Sequence, residues 1–423
     1  MTVEPDVGGR KGTGPLRGIY NFLLMEAVSK TENTQYIELN MGPHHPATHG
    51  VLRLKLTLDG ERVVRCEARI GYLHRGTEKT VEHKSYHQAL IYTDRLDYLS
   101  PLTNNWAYVR AVEKLLGIDG KLPRRAEYLR VITGELSRIS SHIVGAGTHV
   151  LDLGAWTFFL HAFREREKIY DLLEELTGQR MNNTYFRIGG VAADAPDGWL
   201  EKVYKWADEF EKKHHPELMD LIAANPIFVE RTKGIGVIPP EMALNLGLTG
   251  PMIRGSGIKT DLRKDEPYSV YSEFDFEIPT GKNGDTYDRF MVRMEEMLQS
   301  VRIIKQAIEK MPEGDVLIDD YKIVPPPKRD AYTQIEKLIH HFKLVSEGVR
   351  VPPGEAYGAV EAPKGELGFY IVSDGSAKPY RFRIRPPSFI NLQSIEHIAP
   401  GHLVADIIAL IGTIDIVLGE VDR

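Results

Sequence analysis

Cysteine is almost absent: Cys66 is the only one in 423 residues. An internal disulfide, a thiolate metal cage and an iron–sulfur cluster held within the chain are all excluded, because each needs more than one sulfur. A long hydrophobic run is missing too. The longest apolar stretch, residues 403–418, is interrupted by Asp406 and Asp415, whereas a membrane span needs about 20 mostly apolar residues. There is no basic excess, with 53 Lys and Arg against 59 Asp and Glu and a net charge of -6, so nucleic acid is not an expected partner. The N-terminus mixes acids, Gly and Pro, lacks an apolar secretory core and is too acidic for an organellar transit peptide. These absences predict a soluble, cytoplasmic chain that meets a membrane only through partners.

What is present is ordinary globular material, 42% hydrophobic and 26% charged, at a length that suggests roughly two or three domains. Residues 1–34 are punctuated by Gly and Pro and read as an arm lying on a neighbour. Residues 35–76 read as a β portion. Leu52, Leu54, Leu56 and Leu58 alternate with Arg53, Lys55 and Thr57, Asp59-Gly60 supplies a hairpin turn into residues 62–70, and residues 35–40 can pair alongside. Residues 77–312 read as a helical core. Ser100-Pro101 is a start signal, after which Trp106, Val109, Val112 and Leu116 mark one face that Gly117 ends. Leu129, Ile132, Leu136, Ile139 and Ile143 form a second stripe after Pro123, and Phe290, Met294, Met297, Val301, Ile304 and Ile308 a third, stopped by Pro312. All three read as helix-packing core. Gly, Pro and short strand-like runs return over residues 313–423, predicting a C-terminal α+β portion. The fold class is therefore α+β, mainly helical.

Three segments stand out chemically. Residues 42–50, MGPHHPATHG after its Met, set His44, His45 and His49 among prolines that stiffen a loop and glycines that let its backbone pack closely. No carboxylate or thiolate lies within the loop to complete a metal set, so local hydrogen bonding that shapes the loop is the favoured reading for His44 and His45, with an autonomous zinc site the lesser one. His49 is set apart from them. In YTDRLDYLS, Tyr98 stands just before the helix start, near the positive end of a helix dipole, although spacing alone favours an ordinary half-buried ring. In THVLDLGA, Asp152 lies among Val150, Leu151, Leu153, Trp156, Phe158 and Phe159. A carboxylate buried there needs a partner, for which a histidine is suited. Gly234-Ile235-Gly236 and Gly255-Ser256-Gly257 read as close-packing turns rather than phosphate loops. Arg381, Arg383 and Arg385 read as the charged face of a strand, and residues 164–168, REREK, as a charged helix face.

Taken together, MGPHHPATHGVLRLKLTLDGE, GYLHRGTEK, YTDRLDYLS, THVLDLGA, GPMIRGSGIKTDLRK and IGTIDIVLGEVDR resemble the 49 kDa, or D-type, subunit family of respiratory complex I, the NADH:quinone oxidoreductase. That family is related to the large subunit of NiFe hydrogenases, and the resemblance runs from about residue 35 to the end. It implies a hydrogenase-like single unit, active only within a multisubunit, proton-pumping translocase. Hydrogenases bind nickel and iron through two Cys-x-x-Cys pairs. The corresponding segments here, residues 95–100 and 413–420, contain no cysteine, so the pocket is expected to hold a quinone headgroup and no metal. By resemblance the site residues are His49 and Tyr98, which donate to the quinone oxygens, and Asp152, which pairs with His49. GIDGKLPRRAEY is longer than in mitochondrial relatives, so Asp152 is placed by its LDLGA context.

The family implies no cofactor in this chain and a quinone, ubiquinone or menaquinone, as substrate. Iron–sulfur clusters and FMN are expected in partner subunits. Those partners are the B-type subunit with the terminal 4Fe–4S cluster, the C-type and I-type subunits, and the H-type and A-type subunits of the membrane arm. The family also implies a peripheral position on the cytoplasmic side of the bacterial inner membrane, and loop 42–50 as an element coupling reduction to proton pumping. Competing readings are a hydrogenase large subunit with its own metal, which the missing cysteine pairs exclude, and a purely structural scaffold of the same complex.

Overall fold

A computed structural model describes residues 36–423; the arm expected over residues 1–34 lies outside them. The alternating leucines form strands as the pattern requires. β1 (Ile37–Met41), β2 (Arg53–Asp59) and β3 (Arg62–Arg69) make an antiparallel sheet in the order β1-β2-β3. Leu39 faces Leu56 and Leu54 faces Ala68 across the ladder, and a bulge falls at Thr57/Leu58. Leu52, Leu54, Leu56 and Leu58 are buried.

The helical portion follows: α1 (Thr77–Val81), α2 (Tyr86–Thr93), α3 (Pro101–Leu116), α4 (Arg124–Asp152), α5 (Trp156–Thr177) and α6 (Trp199–Glu209). Gly117 ends α3 at φ 68°, the left-handed conformation that glycine adopts without strain. A short hairpin, β4 (Phe186–Arg187) with β5 (Gly190–Val191), interrupts the helices. Then come α7 (Thr286–Lys310) and the shorter α8 (Ile335–Ser346). The C-terminal portion is the antiparallel sheet β6 (Gly354–Ala362), β7 (Gly365–Ser373) and β8 (Arg381–Arg385), followed by α9 (Val404–Ile414) and α10 (Leu418–Asp422). The α+β, mainly helical class is thus as expected. Among the described residues no helix is long and apolar enough to cross a membrane.

Two cores organise these elements. The larger joins α3, α4, α5, α6 and α7 to the inner face of β6–β8. The smaller packs the β2 leucines against Ile407, Leu410, Ile411 and Ile414 of α9 and Val421 of α10, so the N-terminal sheet and the chain end share one interior. The expected close turns are real: a Cβ on Gly236 would lie 2.2 Å from a Leu410 methyl, and one on Gly255 2.5 Å from Arg289 Cγ. β8 is an edge strand whose arginines form one charged face, Arg383 pairing with Glu78 of α1 at 2.9 Å.

Two expectations need correction. Residues 164–168 are not simply a solvated face, because Glu165 is fully buried and gathers Arg164, Lys168 and His214, while Arg166 is buried beside Tyr170. The surroundings of Asp152 are not closed either. Asp152 is the last residue of α4 and half-buried, and Trp156 and Leu160, at the first and fifth positions of α5, are exposed.

Candidate active site

His49 is held by the geometry of its loop. Pro46–Thr48 form a single 3₁₀ turn, capped by His45, whose Nδ1 accepts from the Ala47 amide at 3.2 Å, and tied down by the Thr48 hydroxyl donating to the His45 carbonyl at 2.8 Å. His45 therefore shapes the loop, as expected, whereas among the described residues the His44 side chain makes no such bond. Gly42, at φ 85°, has to be glycine, since a Cβ there would lie 2.0 Å from the Leu52 carbonyl oxygen. His49 ends the turn in the left-handed region at φ 50°, an uncommon conformation for a residue with a Cβ. Its Nδ1 sits 2.8 Å from the Ile416 carbonyl oxygen. A carbonyl only accepts, so Nδ1 carries the proton and donates it there, which leaves Nε2 as the free ring nitrogen. Nε2 is buried and has no protein partner among the described residues.

The expected partner of His49 was Asp152. No hydrogen bond or ion pair joins them; the Ile416 carbonyl fixes the ring instead, and Asp152 acts across space. Burial pushes the Asp152 carboxyl up, and the His49 and His45 rings oppose that shift, which locates the three groups in one electrostatic neighbourhood.

Tyr98 follows Asp97 in a tight loop closed by the Asn104 amide donating to the Asp97 carbonyl at 2.8 Å and by the Leu99 amide donating to Asp97 Oδ1 at 3.1 Å. The loop delivers Tyr98 to the start of α3, half-buried. Burial pushes its hydroxyl up, Asp97 adds to this, and Lys364 and Arg75 oppose it. Beside it lies a small cavity of about 10 Å³ lined by Tyr98, Leu99, Ser137 and Ser140. His49 and Tyr98 rest on the same stretch of chain. The first reaches Ile416, and a Cβ on Gly419 would come within 3.1 Å of Tyr98 Cδ1 and 2.5 Å of the Leu96 carbonyl oxygen.

Between these two residues the fold buries a group of charges that sequence reasoning missed. Lys364, in the β6–β7 turn, is 2% exposed. Its Nζ lies 3.5 Å from Asp415 and 3.8 Å from Asp97, and it donates to the Ser141 hydroxyl. Arg293 of α7 adds a second cation, 3.7 Å from Asp415. Burial raises the Asp415 carboxyl, but Lys364 and Arg293 outweigh this and hold it below its ordinary range. Glu420 is buried as well, accepting from the Ser388 amide at 3.0 Å. Segments 95–100 and 413–420, far apart in sequence, thus meet around one lysine. The available signal was Asp415, which stands inside the otherwise apolar run of residues 407–418, where an acid is costly unless paired.

A fixed imidazole with one free buried nitrogen, a phenol and a buried group of acids around one lysine thus lie along the same stretch of a mainly helical α+β fold. Comparison with known proteins gives the family. Residues 152–423 match the family described as the respiratory-chain NADH dehydrogenase, 49 Kd subunit. The D-type subunit of the NADH-quinone oxidoreductase of Geotalea uraniireducens (strain Rf4) is 54% identical over 391 residues, covering 92% of this chain and 100% of that protein. Its counterpart in Geobacter sulfurreducens is 53% identical over 391 residues, 92% of this chain and 100% of that protein. The Rickettsia felis counterpart is 52% identical over 393 residues, 93% of this chain and 100% of that protein. This chain belongs to the 49 kDa subunit family of respiratory-chain NADH dehydrogenases.

Proposed function

We propose that this chain, with a neighbouring cluster-bearing subunit, forms the pocket in which a quinone headgroup is reduced within an NADH-quinone oxidoreductase, and that reduction there is coupled to proton translocation. Its relatives are named as a subunit of NADH-quinone oxidoreductase, which supplies the reaction. The observation that carries the reading is the His49 ring: Nδ1 is committed to Ile416 while Nε2, buried, meets no protein group among the described residues. Such a nitrogen calls for a partner from outside the chain.

Reducing a quinone to a quinol takes two electrons and two protons. One cysteine cannot hold a cluster, so electrons enter from the neighbour, the B-type subunit with its 4Fe–4S centre. His49 donates from Nε2 when both ring nitrogens are protonated, and the Ile416 carbonyl keeps Nδ1–H in place through the step, so that the proton lost is always the one facing the substrate. Asp152 faces the ring across space, its carboxyl raised by burial and drawn back by the His49 and His45 rings. Tyr98 orients the second quinone oxygen and donates as negative charge develops on it. Burial and Asp97 hold the Tyr98 hydroxyl above its ordinary range, so it gives up its proton only as that charge develops.

The convergence of segments 95–100 and 413–420 supports a hydrogenase-like unit whose metal pocket has lost its sulfur ligands. Loop 42–50, tied through Ile416 to the buried charges around Lys364, is the proposed coupling element toward the H-type and A-type subunits of the membrane arm. The C-type and I-type subunits complete the peripheral arm on the cytoplasmic side of a bacterial inner membrane. Tyr98→Phe and His49→Ala test this in the assembled complex: quinone reductase activity is expected to fall on the order of 10²-fold or more while assembly persists. Normal turnover in an assembled variant complex would leave only a scaffold role.

A further inference from the structure

Among the described residues, Glu420 is the one member of the buried acid group without a counterion of its own. The first turn of α10 lies directly on the Tyr98 loop, so close that residue 419 must be glycine, and this drives the next side chain inward. Glu420 is 1% exposed, Oε1 accepts an amide hydrogen bond from Ser388, and Oε2 has no hydrogen-bond partner among the described residues. The charged and titratable groups around it are Asp97 and Tyr98 from the loop before α3, Lys364 from the β6–β7 turn, and Arg423 at its own end of the chain. Lys364 and Arg293 are already matched by Asp97 and Asp415. A third carboxylate would add unmatched negative charge to a dry interior, which favours the neutral acid. Burial, with Asp97 adding to it, pushes Glu420 up to about 8, so at neutral pH it carries a proton that no other part of the proposed reaction uses.

We infer that Glu420 is a proton-supplying residue for Tyr98: it holds a proton beside the phenol and returns one to the phenolate after Tyr98 has donated its own to the quinone. This rests on the quinone-site reading and deepens it. Two electrons arrive from the reduced iron–sulfur cluster of the neighbouring subunit, and one of the two protons leaves Tyr98 Oη for a quinone oxygen. No hydrogen bond joins the two side chains, so the proton passes through an intervening water: the Glu420 O–H bond breaks as the water gives a proton to the phenolate and the Tyr98 O–H bond re-forms, leaving a carboxylate that takes its next proton from solvent. The transfer runs downhill, from a carboxylic acid to the conjugate base of a weaker acid. The carboxylate left behind is held by Lys364 and destabilised by Asp97, so it readily takes up a proton again.

The test uses Glu420→Gln and Glu420→Asp in the assembled membrane complex, reading quinone reductase activity against pH with unaltered assembly as the control. Wild type is expected to lose activity on an alkaline limb near pH 8, the value to which Glu420 is raised. Glu420→Gln should lower turnover on the order of 10²-fold, abolish that limb and leave KM for quinone unchanged, while Glu420→Asp should keep a displaced limb. Wild-type turnover and pH profile in Glu420→Gln would overturn the inference, as would equal losses in both variants with the limb intact. If Tyr98→Phe is also silent, the quinone-site reading itself fails; if Tyr98→Phe is inactive and Glu420→Gln is not, only the present inference fails. Should Glu420→Gln not assemble, infrared difference spectra of the wild-type complex decide: reduction must perturb the C=O band of a protonated carboxyl, and no such band overturns the inference.

Discussion

Gly145 sits beneath the Asp415 carboxylate, and a Cβ placed there would lie 2.6 Å from its Oδ1. Asp415 has a short side chain in the left-handed conformation at φ 56°, held by Lys364 and Arg293, so it has little room to yield. Gly145→Ala is therefore expected to destabilise the chain by about 1–3 kcal/mol, measured as a lower midpoint in denaturant, and to depress turnover by displacing Asp415. An unchanged midpoint would mean that the cluster is softer than its packing implies. At this scale the sequence was partly legible. His49 and Tyr98 stood out by their loop and by resemblance. Lys364 did not, because nothing local distinguishes a lysine in a PKG turn on the surface from one turned inward; its burial depends on two acids far away in the chain. That His49 and Asp152 interact across space and not through a hydrogen bond was not legible for a similar reason: the backbone carbonyl that takes the imidazole proton has no signature in side-chain identity.

At the scale of elements, the long helices were the most legible part of the chain, but only by their apolar stripes. On α4 the residues Glu135, Arg138, His142, Gly145 and His149 repeat at three, four, three and four along one face, and all but Gly145 are charged or titratable and buried. On α7, Arg289, Arg293, Glu296 and Ser300 repeat in the same way. These two polar stripes face each other and not solvent. His142 meets Glu296 at 2.8 Å and Ser300 donates to Glu135 at 2.6 Å, with Arg263 and Arg254 closing the network. A polar helix face reads as exposed from sequence, and only the presence of a second such face inside the fold reverses that reading.

Glu135 shows the consequence. Burial alone would raise it, but Arg138 and Arg263 lower it to about 2. A carboxyl whose pKa falls on folding stabilises the native state above its unfolded value, about 4.3, and loses that contribution as pH drops through the folded value. Acid unfolding should therefore steepen between about pH 4 and pH 2, the window that the unfolded and folded values bracket. Glu135→Gln, which leaves two buried guanidinium groups short of an anion, is expected to cost about 3–5 kcal/mol at neutral pH and to flatten the acid dependence. A pH-stability profile unchanged by this substitution would contradict the pairing.

At the scale of the whole molecule, the joining of the N-terminal sheet to α9 and α10 was not legible, since alternating leucines state that a face is buried and not against what. α8 is the opposite case. Its apolar residues Ile335, Leu338, Ile339, Phe342 and Val345 follow helical spacing, yet it buries none of its residues, and Phe342 and Val345 are 68% and 74% exposed. A face of this kind marks a protein–protein contact or an association hazard. Phe342→Glu with Val345→Glu should change the stability of the isolated chain by no more than about 0.5 kcal/mol per site, measured as an unchanged midpoint in denaturant. A large loss of stability would mean that α8 packs more tightly than its exposure indicates.

All of this converges on the space between an imidazole with a free Nε2 and a phenol on the same stretch of chain. The most direct measurement is the structure of the assembled complex with a short-chain quinone bound. One carbonyl oxygen of the headgroup should lie within hydrogen-bonding distance of His49 Nε2 and the other of the Tyr98 hydroxyl. A headgroup bound away from both residues, or a closed, protein-filled space between them in the assembled complex, would contradict the account.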